Sequence, residues 1–155
     1  MTLSITRESP DQAAVLDLLR QADARVAGLY PAEDRRGLDI AALLAPNIRF
    51  FVVRRGDAVL GCGGYAVDGA GAAELKRIFV VPAARGLGVG WALLDTLETE
   101  AGREGVRLMR LETGVKSAEA IGLYRRFGYR ETGPFGAYGP DPSSVFMGKA
   151  LPGAG

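Results

Sequence analysis

Residues 85–90 read Arg-Gly-Leu-Gly-Val-Gly, and they separate a strand pattern from a helical one. Upstream, Ala72 to Val81 reads as a long strand and is stopped by Pro82. Downstream, Val89, Leu93, Leu94, Leu97 and Ala101 form an apolar stripe with Asp95, Glu98 and Glu100 outside it. Glycines that open a helix leave consecutive backbone N–H groups accessible at the positive end of its dipole, and this is a place for an anion such as phosphate. Two familiar phosphate loops fail on spacing. The dinucleotide pattern G-x-G-x-x-G needs its third glycine where Trp91 stands, and the Walker sequence Gly-Lys-[Ser/Thr] occurs nowhere. Nicotinamide and nucleoside-triphosphate chemistry are disfavoured.

What remains for chemistry is narrow, because the chain has no histidine and a single cysteine. A Ser-His-Asp triad, a Cys-His pair, a His-ligated metal, a Cys-rich zinc site and an intrachain disulfide are excluded, and no metal is expected. Cys62 reads as a small core residue. The 19 basic and 18 acidic residues sum to +1, too balanced for a nucleic-acid footprint or a polybasic membrane patch. No apolar run approaches the ~18 residues of a membrane helix, and Met1 to Pro10 lacks the features of a signal peptide. The expectation is one cytoplasmic domain over residues 1–155, without nucleic-acid or membrane partners.

Glycine and proline punctuate the rest. Leu3 to Arg7 alternates as a short strand, and Ser9-Pro10 predicts the cap of a helix running to about Gly28. Asp39 caps a short helix, Ile40 to Leu44. Ile48 to Val53 and Ala58 to Val67 form a hairpin, and Gly61, Gly63 and Gly64 in its second strand mark either a bulge or a bare face that something approaches. Arg107 to Thr113 is a strand, and Ser117 to Phe127 is a helix ended by Gly128. Tyr129 to Thr132 and Ser143 to Leu151 are the last strands, joined by a Gly/Pro-rich loop. The fold class is α/β.

Arg85-x-x-Gly88-x-Gly90 after a strand resembles the pyrophosphate loop of the GNAT superfamily of acyl-CoA-dependent N-acetyltransferases, and Ala120-x-x-x-Tyr124-x-x-x-Gly128-Tyr129 is similar to that family's second block. The resemblance spans roughly Ile5 to Leu151 and is weakest from Gly28 to Pro46. It implies a mixed, mostly antiparallel sheet of about seven strands flanked by helices and splayed between the fourth and fifth strands. Acetyl-CoA is then the co-substrate: its pantetheine pairs with the backbone of Ile78, Phe79 and Val80, and its pyrophosphate meets the N–H groups of Arg85, Gly86, Leu87, Gly88, Val89 and Gly90. Ser117 stands where the family often has Asn, which weakens one cofactor contact. The resemblance makes Tyr124, which also borders the cofactor, the proton donor to the departing thiolate. A neutral phenol suits that task.

Two carboxylates are candidates for deprotonating the amine. Glu74 lies where histone-type members of the family place their base, and Glu112 lies on the neighbouring strand with Arg110 on the same face. Ordered water is the third possibility. Arg125-Arg126 reads as a solvated helix face or as a contact to the cofactor's outer phosphate. Tyr30, Arg35 and Arg36 fall where the family builds its acceptor pocket. The mixture of Tyr30, Glu33, Asp34, Asp39 and these arginines suits a small polar amine, and no acidic run is present to bind a protein tail. The expected reaction is direct acetyl transfer to a small-molecule amine. The alternatives are a protein or peptide N-acetyltransferase and a non-catalytic acyl-CoA-binding module. A homodimer touching through Ser143 to Leu151 is expected.

Overall fold

The structure, a computed structural model, describes residues 2–29 and 39–152. Tyr30, Glu33, Asp34, Arg35 and Arg36 therefore lie outside the described residues. Seven strands are present: β1 (Ser4–Arg7), β2 (Ile48–Arg55), β3 (Ala58–Val67), β4 (Ala72–Val80), β5 (Leu108–Gly114), β6 (Arg130–Thr132) and β7 (Ser144–Ala150). The helices are α1 (Ala13–Ala27), α2 (Ile40–Leu43), α3 (Val89–Arg103) and α4 (Ala118–Arg126), with a 3₁₀ turn at Pro82–Ala84. The strand order is β1-β2-β3-β4-β5-β7-β6, and only the β4–β5 pair is parallel.

That parallel pair is short. Ala72, Ala73 and Glu74 face Leu108, Met109 and Arg110, and no pairing follows, so both strands run on with a gap between them. This is the expected splay, and it leaves the β4 backbone from Leu75 onward with one free edge. β7 lies within the sheet between β5 and β6, and β6 covers its far edge at Phe146, Met147 and Gly148.

Apolar layers cover both faces. On one, Val89, Leu93, Leu94, Leu97 and Ala101 of α3 pack with Met109, Leu111, Tyr124 and Met147. On the other, Val15, Leu18 and Leu19 of α1 join Leu43, Phe50, Val52, Cys62 and Phe79. Cys62 is fully buried, and burial pushes its thiol up to about 12, so it is the inert core residue expected.

Several elements begin differently from the sequence expectation. The Ser9 hydroxyl accepts from the Asp11 N–H at 3.1 Å and forms a turn, so α1 starts later, with Gln12 at its cap position. Asp39 does cap α2, accepting from the Ala42 N–H at 3.1 Å. The glycines of β3 face a bulge. Cys62 pairs with Phe79 and Gly64 with Lys76, so Arg77 and Ile78 together stand opposite Gly63. What comes close is the protein itself: a Cβ on Gly61 would lie 2.9 Å from the Phe79 carbonyl oxygen.

Candidate active site

The bulge puts Arg77 at φ 56°, a left-handed conformation that a residue with a Cβ rarely adopts. Three contacts hold it there. Its guanidinium donates to Asp23 at 2.9 Å and to the Leu19 carbonyl at 3.3 Å, and its own carbonyl accepts from the Cys62 thiol at 3.8 Å. The helix α1 is thereby fastened to β4 where that strand turns away from β5.

Two cavities meet in the opening. The larger, about 700 Å³, runs between the free edge of β4 at Ile78–Val80, the glycine loop, the start of α3 and the length of α4. In the loop Gly86 and Gly88 both have φ 80°, and a Cβ at either would meet nothing within 4 Å, so these positions face open space. The Arg85 and Leu87 N–H groups bond to Pro82 and Ala84 carbonyls at 3.2 and 3.3 Å. Gly86 and the first turn of α3, whose N–H groups lack intrahelical partners, are left to meet an anion. Gly90, which also lines this cavity, has a packing task as well, since its Cβ would fall 2.9 Å from Leu123, and the lack of one lets α3 and α4 close together. At the mouth the Glu119 carboxylate lies 3.6 Å from Arg25 and 3.7 Å from Arg85.

The second cavity, about 470 Å³, lies beyond the gap and is lined by Glu74, Lys76, Arg77, Glu112, Tyr138 and Ser144 among others. Ala22, Val26, Ile78, Thr113, Ser117 and Tyr124 border both spaces, so each opens on the other. Tyr124 is thus at the junction. Its ring is buried edge-on to Tyr129 at 5.9 Å, and its hydroxyl has no hydrogen-bond partner among the described residues. Burial raises its pKa above the ordinary phenol value, which keeps the proton on oxygen. Beneath it the Tyr129 hydroxyl donates to Glu98 at 2.9 Å, and Lys149 pairs with the same carboxylate at 2.8 Å.

Both candidate carboxylates reach the second cavity. Glu74 accepts from the Tyr138 hydroxyl at 2.6 Å and is 3.1 Å from the Lys76 ammonium. Glu112 accepts from the Ser144 hydroxyl at 2.6 Å. Ser117 precedes α4 with its hydroxyl making no cap bond, and it faces both cavities. The arginine pair divides: Arg126 lines the larger cavity, while Arg125 turns out to Glu131 at 3.8 Å. Arg110, expected beside Glu112, lies over the Phe135 ring at 4.7 Å. Tyr138, Lys76 and Ser144 were not singled out in the sequence. A tyrosine within a Gly/Pro-rich loop was the available signal, because such loops carry functional side chains. Among the described residues no three His, Cys, Asp or Glu side chains gather as metal ligands would, and no helix is long and apolar enough to cross a membrane.

Comparison with known proteins agrees with this geometry. The family described as "Acetyltransferase (GNAT) family" matches residues 13–129. The IAA acetyltransferase of Azospirillum brasilense is 49% identical over 150 residues, covering 96% of this chain and 98% of that protein. Among solved structures, a candidate acyl-CoA N-acyltransferase from Klebsiella pneumoniae superposes with a TM-score of 0.82 at 33% identity, over 96% of this chain and 97% of that one. The PaiA N-acetyltransferase of Thermoplasma acidophilum, solved in complex with coenzyme A, shares the fold with a TM-score of 0.77 at 19% identity, over 97% of this chain and 100% of that one.

Proposed function

Because the chain belongs to the GNAT acetyltransferase family, we infer that it moves the acetyl group of acetyl-CoA directly to the primary amine of a small molecule. The observation that carries this reading is the pair of connected cavities with Tyr124 on their shared wall. The residues of the larger one fit the donor. A free strand edge suits an extended amide chain, and glycines facing open space before a helix suit a pyrophosphate. Acetyl-CoA supplies an activated thioester; the chain's own residues do the rest.

In the second cavity an incoming amine must lose its proton before its lone pair can attack. Glu74 is the group we assign to that proton, directly or through one water, with Tyr138 and Lys76 holding the carboxylate in place. Glu112, held by Ser144, is the other candidate and borders the same space. Tyr124 gives its proton to the departing sulfur. No residue at the junction is suited to carry the acetyl group, since the one thiol is buried and protonated, so transfer proceeds in a ternary complex. A cavity of about 470 Å³ suits a metabolite-sized acceptor. By the same reading the protein is cytoplasmic and dimeric; light scattering tests the dimer.

The test is thiol release from acetyl-CoA across a panel of small amines, polyamines, amino acids and peptides. IAA joins the panel because the relative from Azospirillum brasilense is named for it. Turnover on a small amine supports the reading. Modification of a specific protein with the small-molecule panel silent would replace the acceptor, and tight binding of acetyl-CoA with no turnover anywhere would make the chain a binding module.

A further inference from the structure

We propose that Trp91 is a stacking platform for the adenine ring of the co-substrate, which makes it the residue by which this protein distinguishes a nucleotide-bearing acyl donor from a bare pantetheine thioester. The proposal rests on the donor assignment made above. Trp91 is the only tryptophan in the chain, and it is 49% exposed where large aromatic side chains are ordinarily covered. It borders the larger cavity and belongs to the first turn of α3, the turn whose N–H groups face the anion site. A dinucleotide-like donor with its pyrophosphate on that turn must leave its base near the same turn. The indole is the flat apolar surface available there.

The ring is fixed in advance. Phe127 meets Trp91 edge-to-face at 4.5 Å, and Phe127 is itself held, with the Lys149 ammonium 4.4 Å from its ring centre and donating to its carbonyl at 2.6 Å. A preordered aromatic loses little entropy when a base stacks on it. Arg126, on the same cavity wall, gives the neighbouring cation that a ribose phosphate needs. Stacking on an aromatic is tolerant of base identity and is lost when the ring is truncated to alanine.

The lone tryptophan makes the experiment direct. Its fluorescence should change on titration with acetyl-CoA and with adenosine 3′,5′-bisphosphate, and stay constant with acetyl-pantetheine. Trp91→Ala should weaken acetyl-CoA binding by about 5–150-fold, the range expected for one base–aromatic stack. Trp91→Phe should retain most of the affinity, and neither variant should alter turnover with acetyl-pantetheine. That last readout also reports that the variants fold. If Trp91→Ala does not fold, the wild-type titrations decide alone. Fluorescence unmoved by both adenine-bearing ligands, or an alanine variant that binds acetyl-CoA as the wild type does, overturns the proposal while leaving the acetyltransferase reading intact. Wild-type protein that binds no acetyl-CoA at all overturns both.

Discussion

Tyr124 is buried on the wall that the two cavities share, and its hydroxyl is not committed to another group among the described residues. Replacing it with phenylalanine keeps the ring packed against Tyr129 and removes only the proton. Tyr124→Phe should lower turnover roughly 10²-fold or more with little change in acetyl-CoA affinity, read by steady-state kinetics beside calorimetry. Because burial raises this phenol's pKa, its proton remains available above pH 10, and the alkaline side of the rate profile should show no loss from Tyr124 near the ordinary value of 10.0. For the base, Glu74→Gln should cost at least ten-fold in kcat/KM at neutral pH and recover partly as pH rises and the free amine becomes abundant, on the order expected for general-base catalysis. A larger loss in Glu112→Gln would exchange the two roles. That Tyr124, Glu74 and Glu112 border the cavities was legible because each stood in a motif or on a strand whose place could be expected. Tyr138 was not, since it reaches Glu74 across 64 positions of chain and nothing local announces the contact.

Several helix and strand ends were legible where a glycine, a proline or a capping side chain marked them. Pro82 stops β4, Asp39 caps α2, and Gly128 at φ 102° ends α4 as a left-handed residue should. The bulge in β4 escaped because its positive φ belongs to an arginine, a residue that carries no mark of that conformation. Its imprint was on the opposite strand, where Gly61 and Gly63 leave room for Phe79 and Ile78, while Gly64 leaves room on its other side for β2. A methyl at Gly64 would run into the Arg49 backbone, so Gly64→Ala should destabilise the protein by about 1–3 kcal/mol in chemical denaturation, the usual cost of overpacking. The loop after β1 offers a pH-dependent counterpart. Arg54 donates to Glu8 at 2.8 and 3.0 Å and, with Gln12 and Thr6, holds its carboxyl at about 2 instead of 4.5. A depressed folded-state value means the stabilisation is complete above 4.5 and is lost as pH falls toward 2. Glu8→Gln should therefore lower Tm at pH 7, and the gap to wild type should close over that acid window.

At the scale of the whole molecule, the two parts of the sheet are joined through three register pairs, Ala72–Glu74 against Leu108–Arg110. A ligand lying in the gap touches β4 on one side and α4 on the other, so it ties the parts together only in the folded state. Saturating acetyl-CoA at about 100 times its Kd should raise Tm by roughly 5–10 °C in differential scanning calorimetry. No shift at saturation would mean that the folded protein does not bind acetyl-CoA in preference to the unfolded chain. The two layers also contribute differently to the two cavities. The glycine loop, α3 and α4 wall most of the larger cavity, whereas α1 and α2 rest on their own layer of Val15, Leu18, Leu19, Leu43 and Phe50 on the opposite face, and α2 gives Ala42 and Leu43 to the smaller cavity. If the proposed division of labour holds, substitutions confined to the rim that α2 gives the smaller cavity would change which acceptor fits and leave the glycine loop untouched.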